Sequence, residues 1–461
     1  MKSIKMSLAA ALLVSTSAFA VDNVEFSGDL NIFYHTSDAG GSNVGTTDAL
    51  AGNTNGSLFS KNSSAADASL NLNVAADLVE KDGIKVGGGL GYSMISTLGL
   101  ENNFVSNVWG SSHRAVTGTG ADYAGAAHGN ALGGAKVENA SWLNEGYVTV
   151  SAGKTTAKLG RMALDTPLAF TETWSIEKNT FEGAAIINTD IPDTTVVAAY
   201  VGNGNGNETF GQDLTSNVAG LSLAFGGVVN ADGKFGTFGT DGAYAAGIIN
   251  NTIKPLTVQA WYYDVSELAT AYWLQADVAM DGILAGAQYT STDVDGAGKT
   301  FLGLSDKAAK ASGTFALMAG YEMKDTATVK LAYSQTSDKG ALHGANVATG
   351  TGASKLYTEA WWTYGQVTKA DTSAITLIVE SPVNGIVDLG LYATMTDTDQ
   401  KDAAGLPVDQ TEMTEVTITA GKEFGPLAAT LAYIYTDLDD KDATTTGDDT
   451  TAIQAFLTLS F

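Results

Sequence analysis

Polarity alternates with a period of two over much of the chain. In residues 453–461, Ile453, Ala455, Leu457, Leu459 and Phe461 share one parity, while Gln454, Thr458 and Ser460 share the other. That spacing predicts a β-strand with one face in an apolar environment and the other in water. Residues 67–79 repeat it: Leu70, Leu72, Val74, Ala76 and Leu78 oppose Asn71, Asn73 and Asp77. A Glu-Lys-Asp-Gly turn follows, and Ile84, Val86, Leu90 and Tyr92 continue the apolar stripe. Hairpins of the same kind are predicted at 269–279 with 282–292, 313–323 with 326–336, 372–381 with 385–396, and 415–423 with 427–436. Polar stretches separate them at 37–66, 96–139, 293–311, 337–354, 397–411 and 437–449.

Short turns alternating with long polar connections predict an all-β, transmembrane, antiparallel up-and-down β-barrel. Two further strand-like runs, 218–225 and 356–365, break that alternation and are assigned to external loops. About 18 strands remain, an even number that puts both termini on one rim; about 16 or about 20 also fit the pattern. Outside the amino-terminal segment there is no run of about 18 apolar residues, so no transmembrane helix is predicted.

That amino-terminal segment reads as a secretory signal peptide. Lys2 and Lys5 precede an apolar core from Met6 to Val14, and Ala18-Phe19-Ala20 offers an A-x-A cleavage site. Residues 21–461 then form the barrel. Its first strand starts at Val24, which leaves no room for a plug domain ahead of it. Cysteine is absent, proline is scarce at 6 and glycine abundant at 53, which suits many strands joined by tight turns. Hydrophobic content of 44% and mean hydropathy of +0.04 are ordinary for a soluble protein. A barrel gives the same averages, because its apolar outside is offset by a wet inside. The formal charge is −26; losing Lys2 and Lys5 with the signal peptide leaves about −28, which opposes nucleic acid and other anions.

Alternation also assigns faces, since a charged Lys or Arg at the midplane of a membrane barrel costs about 2–4 kcal/mol. The inward parity collects Glu25, Asp29, Asp77, Glu145, Glu182, Asp277, Glu322, Glu380 and Asp388, with the bases Lys85, Lys158 and Lys330. An acid-rich wall predicts a preference for cations. The outward parity carries Tyr92, Tyr321, Tyr433, Tyr435 and Phe461, as interfacial rings would.

Residues 159–183, LGRMALDTPLAFTETWSIEKNTFEG, pack charges of both signs into a short span: Arg161, Asp165, Glu172, Glu177, Lys178 and Glu182. A loop folded into the lumen needs such groups, and opposed charges there would set bore and field; an external loop with a charged face fits equally. Strict alternation puts Arg161 on the outward parity with Leu159, so it faces the pore only if the strand ends near Gly160.

The run Gly160–Pro167 (GRMALDTP), followed by NTFEG, a signal peptide and a terminal Phe461, resembles the Campylobacter-type major outer membrane porins. A weaker similarity links it to the basic-amino-acid channels of pseudomonads. The resemblance implies an 18-stranded barrel, usually a homotrimer, with 159–183 as constriction loop and Arg161, Asp165, Glu172, Glu177 and Glu182 at the eyelet. It also implies calcium in the pore, although no ligand position matches. An arginine ladder for basic substrates finds only Arg114 and Arg161.

Catalysis has little to stand on. His35, His113, His128 and His343 fall in predicted loops or at their mouths without metal-spaced partners. Ser111-Ser112-His113 is adjacent in sequence rather than a spatial pair. Gly296-Ala297-Gly298-Lys299-Thr300 mimics a phosphate loop, but Asp293 stands where the first glycine belongs and no helix is predicted to follow. Gly202–Asn207 reads as a loop tip. The acidic tracts 396–402 and 437–442 read as solvated loop charge or as divalent-cation ligands that bridge to lipopolysaccharide phosphate. The function expected is a passive, mildly cation-preferring porin for small hydrophilic solutes. A surface structural or adhesive protein is the alternative.

Overall fold

A computed structural model describes residues 22–38, 57–100, 103–105, 107–108, 114–115, 137–174, 176–206, 228–230, 233–383, 385–401, 407–441 and 449–461. The signal peptide, residues 218–225, His113 and His128 lie outside the described residues.

Eighteen long strands follow one another: β1 (Asp22–Ser37), β2 (Ser64–Lys81), β3 (Ile84–Ser96), β4 (Ala140–Ala152), β5 (Thr155–Met162) and β6 (Phe181–Asn188). Next come β7 (Thr194–Gly204), β8 (Ala243–Asn250), β9 (Leu256–Val265), β10 (Ala269–Met280), β11 (Ile283–Val294) and β12 (Thr314–Met323). The last six are β13 (Ala327–Thr336), β14 (Thr372–Val383), β15 (Val387–Thr398), β16 (Thr411–Phe424), β17 (Leu427–Asp440) and β18 (Thr450–Ser460). The sheet has 20 strands in all, because Asn107–Val108 and Gly236–Thr237 add two-residue strands at its margin. Each long strand pairs antiparallel with the next, and β18 pairs with β1 from Asp29↔Ser460 to Ser37↔Ala452. The cylinder therefore closes, which leaves no unpaired edge to aggregate.

Local chemistry sets the hairpins. At Asp82-Gly83 and Asp281-Gly282 both residues have positive φ, and the flanking pairs Lys81↔Ile84 and Met280↔Ile283 are in register. That is a two-residue turn of the type whose twist matches the strands, and Asp-Gly reaches it at low cost.

Burial separates the faces as the alternation predicts. Leu90, Leu159, Ile248, Leu274, Leu317, Leu331, Ile418 and Leu431 are exposed on the outward parity, together with the rings of Tyr92, Tyr321, Tyr433 and Phe461. Asn71, Ser93, Gln288, Ser334, Thr376, Glu415, Thr417 and Gln454 are buried on the inward parity.

Two expectations need correction. The tract 437–442 is not simply a loop: β17 continues through Asp440, paired with Thr411 of β16. The phosphate-loop mimic does form a helix, α1 (Gly296–Phe301), of six residues, in which Asp295 caps Gly298 N at 2.7 Å. A capped helical turn satisfies its own amides and explains the glycines without any nucleotide.

Candidate functional site

Two long connections carry the chemistry. Residues 163–180 join β5 to β6, and residues 337–371 join β13 to β14. The first bonds to inward-parity and neighbouring wall groups: Ser69 Oγ donates to Ile176 O at 2.5 Å and Thr180 Oγ1 to Asn144 O at 2.8 Å. The second does so more extensively. Gln288 Nε2 donates to Lys355 O at 2.9 Å, and Tyr357 N to Gln288 Oε1 at 3.0 Å. Tyr357 also donates its hydroxyl to Asp277 Oδ1. Trp362 N and Thr363 N take one oxygen each of Glu415, at 3.0 and 2.7 Å. The strand-like run 356–365 forms no strand; its backbone instead bonds to the inward-parity side chains Gln288 and Glu415.

The two connections meet at Glu172, which is 2% exposed. One carboxylate oxygen accepts from Thr349 Oγ1, from Thr351 Oγ1 at 2.7 Å and from Asn346 Nδ2 at 3.0 Å. The other accepts from Trp174 Nε1 at 2.6 Å. None of these donors is a cation. Directed hydrogen bonds alone hold the carboxylate in place. Asp165 adds an exposed link across the same seam, an ion pair with Lys355. Glu177 is buried at 1% exposure, and Lys178 is half-buried and makes no ion pair among the described residues.

Arg161 and Glu182 stand apart from that cluster. Strand β5 does not end at Gly160 but runs through Met162, in register with β6, so Arg161 opposes Glu182. By register both share the parity of Leu159, Ala184 and Ile186, the outward one; Glu182 was expected inward. Their ion pair is 2.6 Å long, Asn203 Nδ2 donates to Glu182 at 2.7 Å, and the guanidinium lies 4.1 Å over the Phe235 ring. The physical reason is the continuity of the ladder, which a glycine at φ +124° does not interrupt.

Asn71 Nδ2 donates to Asp29 at 2.8 Å; Lys85 pairs with Asp77 at 2.9 Å; Lys158 lies 4.0 Å from Glu145 and 3.6 Å over the Tyr147 ring. Gln275 Nε2 donates to Asp277 at 2.8 Å, and Tyr392 donates to Glu380 at 3.0 Å. Asp388 sits in β15 opposite Pro382 and Gly421. Lys330 makes no ion pair among the described residues.

Against this geometry, no protein-family model and no curated protein matches the chain. Solved structures do. The chain is similar to OccAB1 of Acinetobacter baumannii, with 12% identity, TM-score 0.67, 97% of this chain covered and 98% of that one. OccAB4 of the same organism matches at 12% identity and TM-score 0.64, over 95% and 98% of the two chains. The outer membrane protein opdK from Pseudomonas aeruginosa matches at 13% identity and TM-score 0.60, over 95% and 99%; a second structure of OpdK was solved with vanillate. At such identities the likeness establishes the barrel fold. No family model supports the Campylobacter-type resemblance.

The alternation gave no site role to Glu415 or Glu359, and it read 337–354 as a polar stretch and 356–365 as part of an external loop. One signal was present in that run: Trp361-Trp362, since an exposed loop has no use for two indoles. The calcium expectation finds no donor set. Among the described residues no group of three or more His, Asp and Glu converges on a metal-sized site. Part of the acidic tracts is already neutralised: Lys401 pairs with Asp399, and Lys441 bridges Glu412 at 2.7 Å and Asp397 at 2.9 Å. Hydrogen bonds to those two carboxylates, Glu412 first, raise the Lys441 ammonium above the ordinary lysine range.

Proposed function

We propose that this chain is an outer-membrane porin that passes small hydrophilic solutes and ions down their gradients, with a mild preference for cations. One observation carries the reading: a closed cylinder with an apolar outside has acids along its inward parity that outnumber the bases there. Of the three inward lysines, Lys85 and Lys158 lie beside Asp77 and Glu145, which leaves Lys330 as the inward base unpaired among the described residues. Glu25, Glu322, Glu380 and Asp388 lie on the same parity and feel water. Carboxylates in a pore of this kind raise the local concentration of cations over anions.

In this reading residues 163–180 and 337–371 together narrow the lumen, tied at Glu172, and selectivity follows from bore and wall charge. No step of covalent chemistry is involved. The outward apolar belt meets outer-membrane lipid and lipopolysaccharide, residues 1–20 direct export, and the homotrimer is carried over from the sequence resemblance. Conductance of the purified protein in planar lipid bilayers tests the reading. Ohmic channels with a reversal potential of cationic sign in a salt gradient are expected; a silent bilayer would refute it.

A further inference from the structure

Between the wall and the two connections lies a cavity of about 700 Å³. Trp174, Trp361, Trp362 and Tyr364 line it from the connections, and Lys330 and Tyr392 from the strands, with Glu359 at the same margin. The rings are set at angles to one another rather than stacked shut. Trp174 and Trp362 meet edge-on, with centroids 5.9 Å apart at 90°; Trp174 and Tyr364 lie 5.3 Å apart at 48°; Trp361 and Tyr392 lie 6.3 Å apart at 39°. Three of the seven tryptophans of the chain therefore face one chamber. A concave, mostly apolar site with a few polar groups is the form a small-molecule site takes.

Charge selects among the solutes that aromatic faces attract. The inward acids Glu322 and Glu380, on the two strands that flank the strand of Lys330, oppose an anion there. An organic cation is drawn to rings, but here it meets the ammonium of Lys330, which has no carboxylate to neutralise it among the described residues. Glu359 adds hydrogen-bonding capacity more than charge. Its oxygens accept from Ser354 N at 2.6 Å and Ala360 N at 3.1 Å, and burial raises its carboxyl to about 8. What remains is a neutral molecule with flat C–H faces and a polar rim.

We propose that the chamber binds a neutral saccharide, its ring faces against Trp361, Trp362 and Trp174 and its hydroxyls toward Lys330 and Glu359. This rests on the porin reading for its transport meaning, but not for binding itself. The test uses the purified full-length mature protein and maltotriose as probe, with sorbitol, choline chloride and sodium vanillate as comparisons. Maltotriose should quench or shift tryptophan fluorescence in detergent and block channel current in bilayers, and sorbitol, which has no ring face, should do neither. Trp361→Ala should weaken both maltotriose responses by about tenfold or more while open-channel conductance persists; Trp361→Phe, which keeps a ring, should weaken them less. Lys330→Met serves as a second variant should Trp361→Ala not fold, with weakening again expected. Responses to vanillate or choline in place of maltotriose, maltotriose responses unchanged in these variants, or no response at all would overturn the proposal. A chain that conducts but ignores maltotriose sinks only this inference; one that binds maltotriose but never conducts sinks the porin reading instead.

Discussion

Gly28 and Phe461 exchange two backbone hydrogen bonds, Gly28 N to Phe461 O at 2.9 Å and Phe461 N to Gly28 O at 3.0 Å. The Phe461 ring occupies the space above Gly28 that a side chain would fill. A Cβ at Gly28 would stand 2.5 Å from Asn71 O and 2.6 Å from Phe461 Cζ. The seam of the cylinder is thus closed by a glycine and an aromatic ring as a unit. Gly28→Val is expected to cost about 1–3 kcal/mol by overpacking. The folded, heat-modifiable band on gels and the midpoint of urea unfolding in detergent would both fall, and Gly28→Val combined with Phe461→Ala should recover part of the loss. No recovery would mean that the clash with Asn71 O alone decides.

The seam and the strands were legible because a barrel wall writes its two environments into every other residue. Asp67–Lys81 in β2 and Thr450–Ser460 in β18 could be read for face as well as for position. The interior was not legible for the opposite reason. Glu172 meets Thr349 and Thr351 across about 180 residues of sequence, and nothing periodic links a loop carboxylate to three distant hydroxyl and amide donors. Arg161 and Glu182 show the intermediate case: parity places Arg161 with Leu159, whereas Phe181–Asn188 is apolar on both parities and gives Glu182 no clear face until it pairs with Arg161 across β5.

Glu172 predicts a clean split between charge and structure. Its carboxylate takes four donors from two connections, and hydrogen bonds to a charged group are worth about 1.5–3 kcal/mol each when broken. Glu172→Ala should therefore loosen 163–180 from 337–371, which limited proteolysis or amide exchange of these segments would register as faster cleavage or exchange. Glu172→Gln keeps part of the network and should fall between. Equal protection in all three proteins would remove Glu172 from its role as a tie.

The Glu359 carboxyl gives a pH dependence of known sign. Burial, with a smaller push from the charge of Glu415, raises it from the ordinary carboxylate range to about 8, so the folded loop favours its protonated form. A raised acid contributes stability that is fully present below its unfolded value and is lost as pH rises through the folded one. Tyr364, which lines the same chamber, lies within reach of the Glu359 charge. Raising pH from about 6 to about 9 should speed amide exchange in 354–365, whereas Glu359→Gln should be flat over that range. A wild-type profile just as flat would show that the carboxyl titrates elsewhere.

Arg161 is expected to matter little for selectivity despite its place in the charged run. Its charge is cancelled at 2.6 Å by Glu182 on the outward parity, and both side chains keep about 30% of their surface. Partly exposed pairs are worth about 0–1 kcal/mol. Arg161→Met should leave the reversal potential in a salt gradient where it was and lower the unfolding midpoint only slightly. A large shift of the reversal potential would return Arg161 to the pore.

Selectivity should instead follow the wall acids that no described lysine or arginine neutralises. Glu322 opposes Thr328 and Glu380 opposes Gly390, while Asp388 lies along the same inward parity. Each can raise the cation concentration beside it, and in an aqueous lumen the effect fades over about 8 Å at physiological ionic strength. Glu322→Gln, Glu380→Gln and Asp388→Asn together should therefore lower the cation-to-anion permeability ratio severalfold at low salt and much less at about 1 M, where screening shortens to about 3 Å. The salt dependence separates a field effect from a change of bore, because a widened channel would alter conductance equally at both concentrations. A permeability ratio that ignores all three substitutions would assign selectivity to the seam around Asp165 and Glu177.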